Sequence, residues 1–147
     1  NDGLVDLFIS GDPDNTAPEG NPRHRYEDKV YLNTGARNSK DNHWLRLRFS
    51  GISHAALIGT RIELFEPENG ERIGTRGIYA EHSYKSGSPL EAHFGLGENE
   101  LAEVRVFLPS GEKFTLRDVK ADQYLDLNVS SRSLEPVKVE NKAETAS

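Results

Sequence analysis

The stretch LEAHFGLGENELAEVRVFLPSG, from Leu90 to Gly111, decides the fold of this chain. It predicts one strand that ends at a glycine-containing motif, a short acidic loop, and a second strand at Val104–Leu108. Glycine at Gly95 and Gly97 permits backbone angles that a side chain would oppose, and the Pro-Ser-Gly that follows is a turn signal. We expect a structural role for two groups of residues in this stretch. The glycine-containing motif consists of His93, Phe94, Gly95, Leu96 and Gly97, and the turn consists of Pro109, Ser110 and Gly111.

Alternating apolar and polar residues continue on both sides of this stretch. From Trp44 to Phe49, the leucines fall on one face of a predicted strand and Arg46 and Arg48 on the other. Asn69-Gly70 predicts a tight hairpin between two further strands. No segment has the three- and four-residue apolar spacing of a helix. The chain is therefore predicted to be all-β, an antiparallel β-sandwich or barrel-like module with little helix.

The same patterns divide the chain into three parts. Residues 1–42 carry two short apolar strands, Leu4–Ile9 and Lys29–Asn33, and end in a polar linker. Residues 43–129 form the main β domain. Residues 130–147 are predicted to be an edge strand at Val137 and Val139 with a frayed tail.

Composition excludes several classes of site. The chain has 147 residues, no cysteine and a formal net charge of −6, so it can form neither a disulfide framework nor a thiolate metal site. Its basic residues are scattered, whereas a nucleic-acid groove needs a basic stripe. No apolar run approaches the roughly 18 residues of a membrane-spanning helix.

The motifs together resemble the ASPIC/UnbV domain, which is found in cartilage acidic protein and in many bacterial secreted proteins. The resemblance covers residues 43–127 and implies an extracellular, periplasmic or cell-surface β domain. The matching segments, in order, are Trp44–Arg48, Gly51, Ile58–Ile62, His93–Gly97, Val104–Val106 and Pro109–Gly111.

The preceding part resembles the tail of an FG-GAP/VCBS-type β-propeller repeat. Residues 1–8 are similar to the second half of that repeat's calcium loop and the strand after it, and residues 28–35 are similar to its closing strand and turn. The resemblance implies that Asp2 and Asp6 bind calcium through their carboxylates and Leu4 through its carbonyl, as an incomplete calcium loop. Calcium is therefore the one cofactor expected.

Three aromatic residues are candidates for ligand binding. Tyr79 and Tyr84 flank a polar loop, and Trp44 lies at the start of a strand, where such side chains either stack on a sugar or pack at the core or rim. The chain contains neither a Gly-x-Ser-x-Gly elbow nor an HExxH zinc motif, so we do not expect an enzyme.

Three functions remain open from the sequence. The first is a non-catalytic interaction module, calcium-assisted, that packs on a β-propeller or a protein partner. Because open strand edges seek partners, Leu4–Ile9 would pair with a propeller, another protein or a second copy of the chain. The second is a carbohydrate-binding module. The third is an accessory domain or subunit of an extracytoplasmic enzyme.

Overall fold

A computed structural model describes residues 5–9, 28–34, 42–80 and 89–137 of the chain. The chain divides into two compact units, residues 1–40 and residues 41–147. In the first unit, β1 (Leu7–Ile9) pairs antiparallel with β2 (Lys29–Tyr31), and the side chains of both strands are exposed.

The described part of the second unit is built almost entirely of strands. In chain order its elements are β3 (His43–Ser50), α1 (His54–Leu57), β4 (Arg61–Phe65), β5 (Arg72–Gly77), β6 (Glu91–Gly97), β7 (Leu101–Phe107), β8 (Lys113–Lys120), β9 (Gln123–Asn128) and β10 (Ser133–Pro136). They form two four-stranded sheets. The first sheet has the order β10-β9-β3-β6 and the second sheet the order β5-β4-β7-β8.

This arrangement confirms the predicted all-β sandwich with little helix. Neighbouring strands are antiparallel except β3 and β9, which run parallel. The two strands of the Leu90–Gly111 stretch do not pair with each other. Instead β6 is an edge of the first sheet, while β7 lies inside the second.

Two tight turns between strands each contain a glycine with a positive φ. Between β4 and β5, Gly70 has a φ of +71°, and the Asn69 side chain accepts a hydrogen bond from the Glu71 amide at 2.7 Å. Between β7 and β8, Gly111 has a φ of +90° and its amide donates to the Leu108 carbonyl at 2.9 Å. Both positions need the left-handed backbone that glycine adopts without a steric cost.

The core lies between the sheets and is formed by one residue in two along most strands. Leu45 and Leu47 of β3 are fully buried, as are Ile62 and Leu64 of β4. The other buried apolar residues are Phe49, Leu57, Ile78, Ala92, Phe94, Leu96, Ala102, Val104, Val106, Leu108, Phe114, Val119, Leu125, Leu127 and Val129. This alternation leaves the opposite face of each sheet for polar side chains.

Along one side of the sandwich, the edges β5 and β6 are joined by a side chain. Arg76 Nε donates to the His93 carbonyl at 3.0 Å, and its guanidinium carbon lies 5.5 Å from the centre of the Phe94 ring. No helix in the described part of the chain is long enough and apolar enough to cross a membrane.

The structure differs from the sequence predictions in two details. A single helical turn, α1, begins at the N-cap Ser53, in a segment without the apolar spacing of a helix. The last strand among the described residues, β10, is Ser133–Pro136; it follows directly from a turn at Arg132, with φ +57°, and ends one residue before Val137, where the predicted edge strand begins. Val139 and the tail after it lie outside the described residues.

Candidate functional site

The outer face of the first sheet carries an unusual set of polar and aromatic side chains. On β3, buried Leu45 and Leu47 alternate with outward-facing Trp44 and Arg46. The strand register places Arg46 opposite His93 of β6 on one side and opposite Tyr124 of β9 on the other. Residues from three strands that are distant in sequence therefore meet at the centre of this face.

These side chains are held by direct contacts. Trp44 stacks on His93, with ring centres 6.0 Å apart and planes 11° from parallel. The Glu91 carboxylate accepts from Arg46 Nε at 2.7 Å and from the Tyr124 hydroxyl at 2.5 Å. Arg46 also lies over the Tyr124 ring, with its guanidinium carbon 4.6 Å from the ring centre. We call these five residues, Trp44, Arg46, Glu91, His93 and Tyr124, the platform.

The surroundings of the platform set its protonation at neutral pH. Burial lowers the pKa of His93, and the guanidinium groups of Arg46 and Arg76 lower it further. Burial raises the pKa of Tyr124, and its hydrogen bond to Glu91 raises it further. At neutral pH the platform therefore presents a neutral imidazole and an intact phenol beside the Arg46–Glu91 ion pair.

Open space lies beside the indole of Trp44. Gly95 of β6 stands directly opposite Trp44, and a Cβ built at Gly95 would meet no atom within 4 Å. Gly95 has no left-handed φ, unlike Gly97 at +58°, so the backbone does not require glycine there. Its effect is to leave the surface beside Trp44 uncovered.

A shallow depression of about 550 Å³ borders the platform at the start of β3. His43 Nδ1 lies 2.6 Å from the Asp122 carboxylate, and the Asp122 amide donates to the Trp44 carbonyl at 2.6 Å. The remaining lining residues are Glu100, Leu101, Lys120 and Ala121. Charged groups of both signs therefore continue the polar surface beyond Trp44.

Comparison with known proteins places this sandwich in a family. The sequence model of the ASPIC and UnbV family matches residues 51–134, more than half of the chain. The chain belongs to the ASPIC and UnbV family. Among curated proteins, none matches the chain.

One solved structure is similar to the ASPIC/UnbV chain at a low level. It is that of a candidate cell adhesion protein from Bacteroides ovatus, with 14% sequence identity and a TM-score of 0.36. The match covers 95% of this chain and 60% of the other, so the chain spans about 60% of that protein's solved length. A similarity of this size carries no argument about function.

The ASPIC/UnbV motif residues divide between the core and the platform. Within β6, Phe94 and Leu96 face inward and are 1% exposed, whereas His93 and Gly95 lie on the outer face. Pro109, Ser110 and Gly111 form the turn between β7 and β8. One motif thus supplies both the packing of the sheet and part of its outer surface.

The two aromatic candidates that the structure describes, Trp44 and Tyr79, lie on different sheets. Trp44 belongs to the platform on the first sheet. Tyr79 is exposed, and its ring covers the place where a side chain at Gly77 would lie, on the outer face of the second sheet. Tyr84 lies outside the described residues.

Of the three calcium candidates, only Asp6 is described. Its Oδ1 accepts a hydrogen bond from the Asn33 amide at 2.8 Å, which ties the strand that follows it to the end of β2. Asp2 and Leu4 lie outside the described residues. Within the described ranges, no group of three or more His, Asp or Glu side chains is placed to hold a metal ion.

Sequence reasoning missed three members of the platform, namely Arg46, Glu91 and Tyr124. The alternation along β3 did place Arg46 on the face opposite the leucines, so the sequence indicated which face of the strand Arg46 occupies. Its neighbours on that face depend on the register between β3, β6 and β9, which no local sequence pattern indicates.

Proposed function

We propose that this ASPIC/UnbV domain is a non-catalytic extracellular recognition module that binds a protein partner through the platform. The observation that carries the proposal is the Arg46–Glu91–Tyr124 network beside the stacked Trp44 and His93. Tryptophan, tyrosine and arginine are the residues that dominate binding energy in protein interfaces. Side chains already held in place lose less entropy when a partner binds, so more of the contact energy appears as affinity.

The first unit supports packing against further strands. Leu7 and Tyr31 are paired on one face of the β1–β2 ribbon, and Phe8 and Val30 on the other, and all four side chains are more than half exposed. An isolated two-stranded ribbon is marginal in water, and apolar residues on both faces call for a covering layer on each side. A propeller-type repeat meets this requirement, because each blade lies between two others.

In this proposal calcium acts at the propeller-type repeat, through the Asp2 and Asp6 carboxylates and the Leu4 carbonyl. Calcium requires six to eight oxygen ligands, so the remaining ligands would come from the first half of the calcium loop that residues 1–8 resemble in its second half. Calorimetric titration of calcium into the chain extended upstream through the first half of that loop tests this, with Asp2→Asn as the variant. Equal heats for the two proteins would remove the calcium role.

The platform itself can be tested through its own fluorescence. Trp44 is the single tryptophan of the chain, so its emission reports occupancy of the platform directly. The chain is screened against an array of purified extracellular proteins, and each hit is titrated while Trp44 emission is recorded. We expect hits that change the emission and that lose about tenfold or more in affinity in Arg46→Ala, as for a hot-spot residue.

The matched control is Arg132→Ala. Arg132 is an exposed, ion-paired arginine that also lies over an aromatic ring, Phe114, but it is not part of the platform. Hits that leave Trp44 emission unchanged, or that weaken equally in both variants, would show that the platform is not the binding surface.

A second candidate, carbohydrate binding, is favoured by the near-parallel rings of Trp44 and His93 beside the open space at Gly95. A flat aromatic surface next to hydrogen-bonding groups suits the apolar face of a sugar ring. A glycan array with the same emission titration tests it. Gly95→Val, whose Cβ would meet no atom within 4 Å, places a branched side chain in that space and is expected to abolish glycan binding; unaffected binding would reject the candidate.

A further inference from the structure

The outer face of the second sheet carries arginines in a regular pattern. Buried Ile62 and Leu64 of β4 alternate with Arg61, Glu63 and Phe65, which face outward. The same alternation on β7 turns three more side chains to this face, and β8 adds three others. These are Glu103, Arg105 and Phe107 on β7, and Lys113, Thr115 and Arg117 on β8.

Three of the arginines lie on one diagonal across neighbouring strands. Arg61 of β4 stands opposite Phe107 of β7, and Arg105 stands two residues along β7 from it. Arg117 of β8 lies one further strand across, against Glu103, which is another two residues along β7. Each step crosses one strand and two residues, so successive arginines are diagonal neighbours whose Cα atoms are about 7–8 Å apart. We call Arg61, Arg105 and Arg117 the arginine diagonal.

Aromatic rings hold two of these guanidinium groups against the sheet. The Arg61 guanidinium carbon lies 4.5 Å from the centre of the Phe107 ring, and that of Arg105 lies 3.8 Å from the centre of the Phe65 ring. Such contacts are attractive and restrict the long side chain. The arginines are therefore ordered before any ligand arrives, which lowers the entropy cost of binding.

The neighbouring carboxylates lie beneath the arginines rather than beside them in water. Glu63 binds Arg61 at 3.1 Å, and Glu103 binds Arg105 at 2.7 Å and Arg117 at 3.5 Å. The glutamate side chains are only 15% and 17% exposed, whereas the arginine side chains are 56%, 39% and 80% exposed. Three guanidinium groups thus share two shielded carboxylates, and the part of the face that meets solvent is cationic.

The ends and flanks of the diagonal suit a sugar chain. The ring of Tyr79 lies over Gly77, which stands directly opposite Arg61, so an exposed aromatic surface adjoins the first arginine. Thr75 and Thr115 place hydroxyl groups on either side of the Glu63–Arg105 pair. In a chain of net charge −6, this ordered cationic row is a local exception to the overall charge.

We propose that the arginine diagonal binds a linear anionic polysaccharide. Its carboxylate or sulfate groups would accept hydrogen bonds from successive guanidinium groups, whose planar forks suit both anions. A sugar ring of the same chain would pack on Tyr79. This site is separate from the platform, because it lies on the outer face of the other sheet.

The experiment measures binding of the chain to heparin, which carries sulfate groups, to alginate, which carries carboxylate only, and to neutral dextran, by calorimetry at low salt. We expect binding to at least one of the first two, none to dextran, and a loss of affinity as salt is raised. Arg61→Gln and Arg105→Gln should each lower affinity about tenfold, the loss of one charge-assisted contact. Comparing heparin with alginate identifies the anion.

Controls separate this proposal from general charge effects and from the platform. Arg48→Gln removes the same charge from an exposed, ion-paired arginine on the first sheet and should change affinity less than twofold. Arg117→Gln, at the most exposed position of the diagonal, weakens binding without a risk to folding. Trp44 emission should stay constant throughout the titration, since the indole lies on the opposite sheet.

Four results would overturn the proposal. They are an absence of binding to both anionic polysaccharides, an equal loss in Arg48→Gln and Arg61→Gln, Trp44 emission that changes with saturation, and poly-glutamate binding more tightly than either polysaccharide. The last would assign the face to an acidic peptide instead. Tyr79→Ala sharpens that distinction, because it should weaken polysaccharide binding and leave poly-glutamate binding unchanged.

Discussion

The hydrogen bond between the Tyr124 hydroxyl and Glu91 gives the most direct test of the platform as an ordered unit. Tyr124→Phe removes only the hydroxyl, and Glu91→Gln removes the charge while keeping the shape. Hydrogen bonds to a charged group contribute about 1.5–3 kcal/mol to stability. The Glu91 side chain is 18% exposed and also binds Arg46 at 2.6 Å, so water and arginine compensate part of the loss. We therefore expect a coupling free energy just below this range, about 1–1.5 kcal/mol.

The coupling is measured by a double-mutant cycle in urea. Four proteins are unfolded while Trp44 emission is followed, and the free energies of unfolding are combined so that effects of each single change cancel. Because Trp44 stacks on His93 in the same platform, its emission senses local loosening before global unfolding. A second probe, far-ultraviolet circular dichroism, shows whether the two events coincide.

A matched cycle pairs Tyr124→Phe with Glu103→Gln. Glu103 is equally shielded and also binds arginines, but it lies on the outer face of the second sheet. We expect these two changes to be additive within about 0.5 kcal/mol. If the coupling between Tyr124 and Glu91 were also within about 0.5 kcal/mol, the platform would be a collection of independent surface side chains, and the preorganisation argument would fail.

Three further tests use four substitutions, three of them outside the platform and one at His93. Thr60→Val should leave stability unchanged or raise it by about 1 kcal/mol in urea unfolding, because the buried hydroxyl has no partner among the described residues; a clear loss would reveal one. Gly51→Ala should lower the free energy of unfolding by about 2 kcal/mol or more, since Gly51 has a φ of +69° and a Cβ there would collide with Asn128. Gly111→Ala should lower it by only about 1 kcal/mol, since Gly111 has a φ of +90° but open space around its Cβ position. Because the pKa of His93 is lowered in the folded protein, His93 is protonated more readily in the unfolded chain, and the wild type should lose stability as pH falls below about 6.5. In thermal melts, His93→Gln should lose less stability than the wild type between pH 7.5 and pH 5. Equal losses in those two proteins would contradict the shift.

Local signals in the sequence were enough for the individual strands and turns. The alternation of Leu45 and Leu47 with arginines predicted which face of β3 is buried, and Asn69-Gly70 predicted the β4–β5 hairpin. Both features act over a few residues, through the two-residue period of a strand and the backbone freedom of glycine. The single turn α1 is too short to show a helical period, which is why it was not predicted.

Pairing between distant strands was beyond such signals. Nothing local indicates that β9 joins β3 in parallel, or that β6 and β7, separated by three residues, enter different sheets. Both candidate surfaces depend on these pairings: the platform needs β3 between β6 and β9, and the arginine diagonal needs β7 between β4 and β8. Local patterns therefore selected Trp44 and Tyr79 as candidates, and only the strand pairings place these two residues on the outer faces of different sheets.

The position of β3 also determines where the folding unit begins. The family match starts at residue 51, just after β3, yet β3 lies inside the first sheet with hydrogen-bonded neighbours on both sides. Its Leu45 and Leu47 are fully buried between the sheets. Without β3, the edges of β6 and β9 would both be open and the core would lose two leucines, each worth about 2–5 kcal/mol by comparison with leucine-to-alanine changes. That loss is a large fraction of the stability of a domain of this size, so the strand that carries Trp44 and Arg46 is part of the fold as well as of the surface.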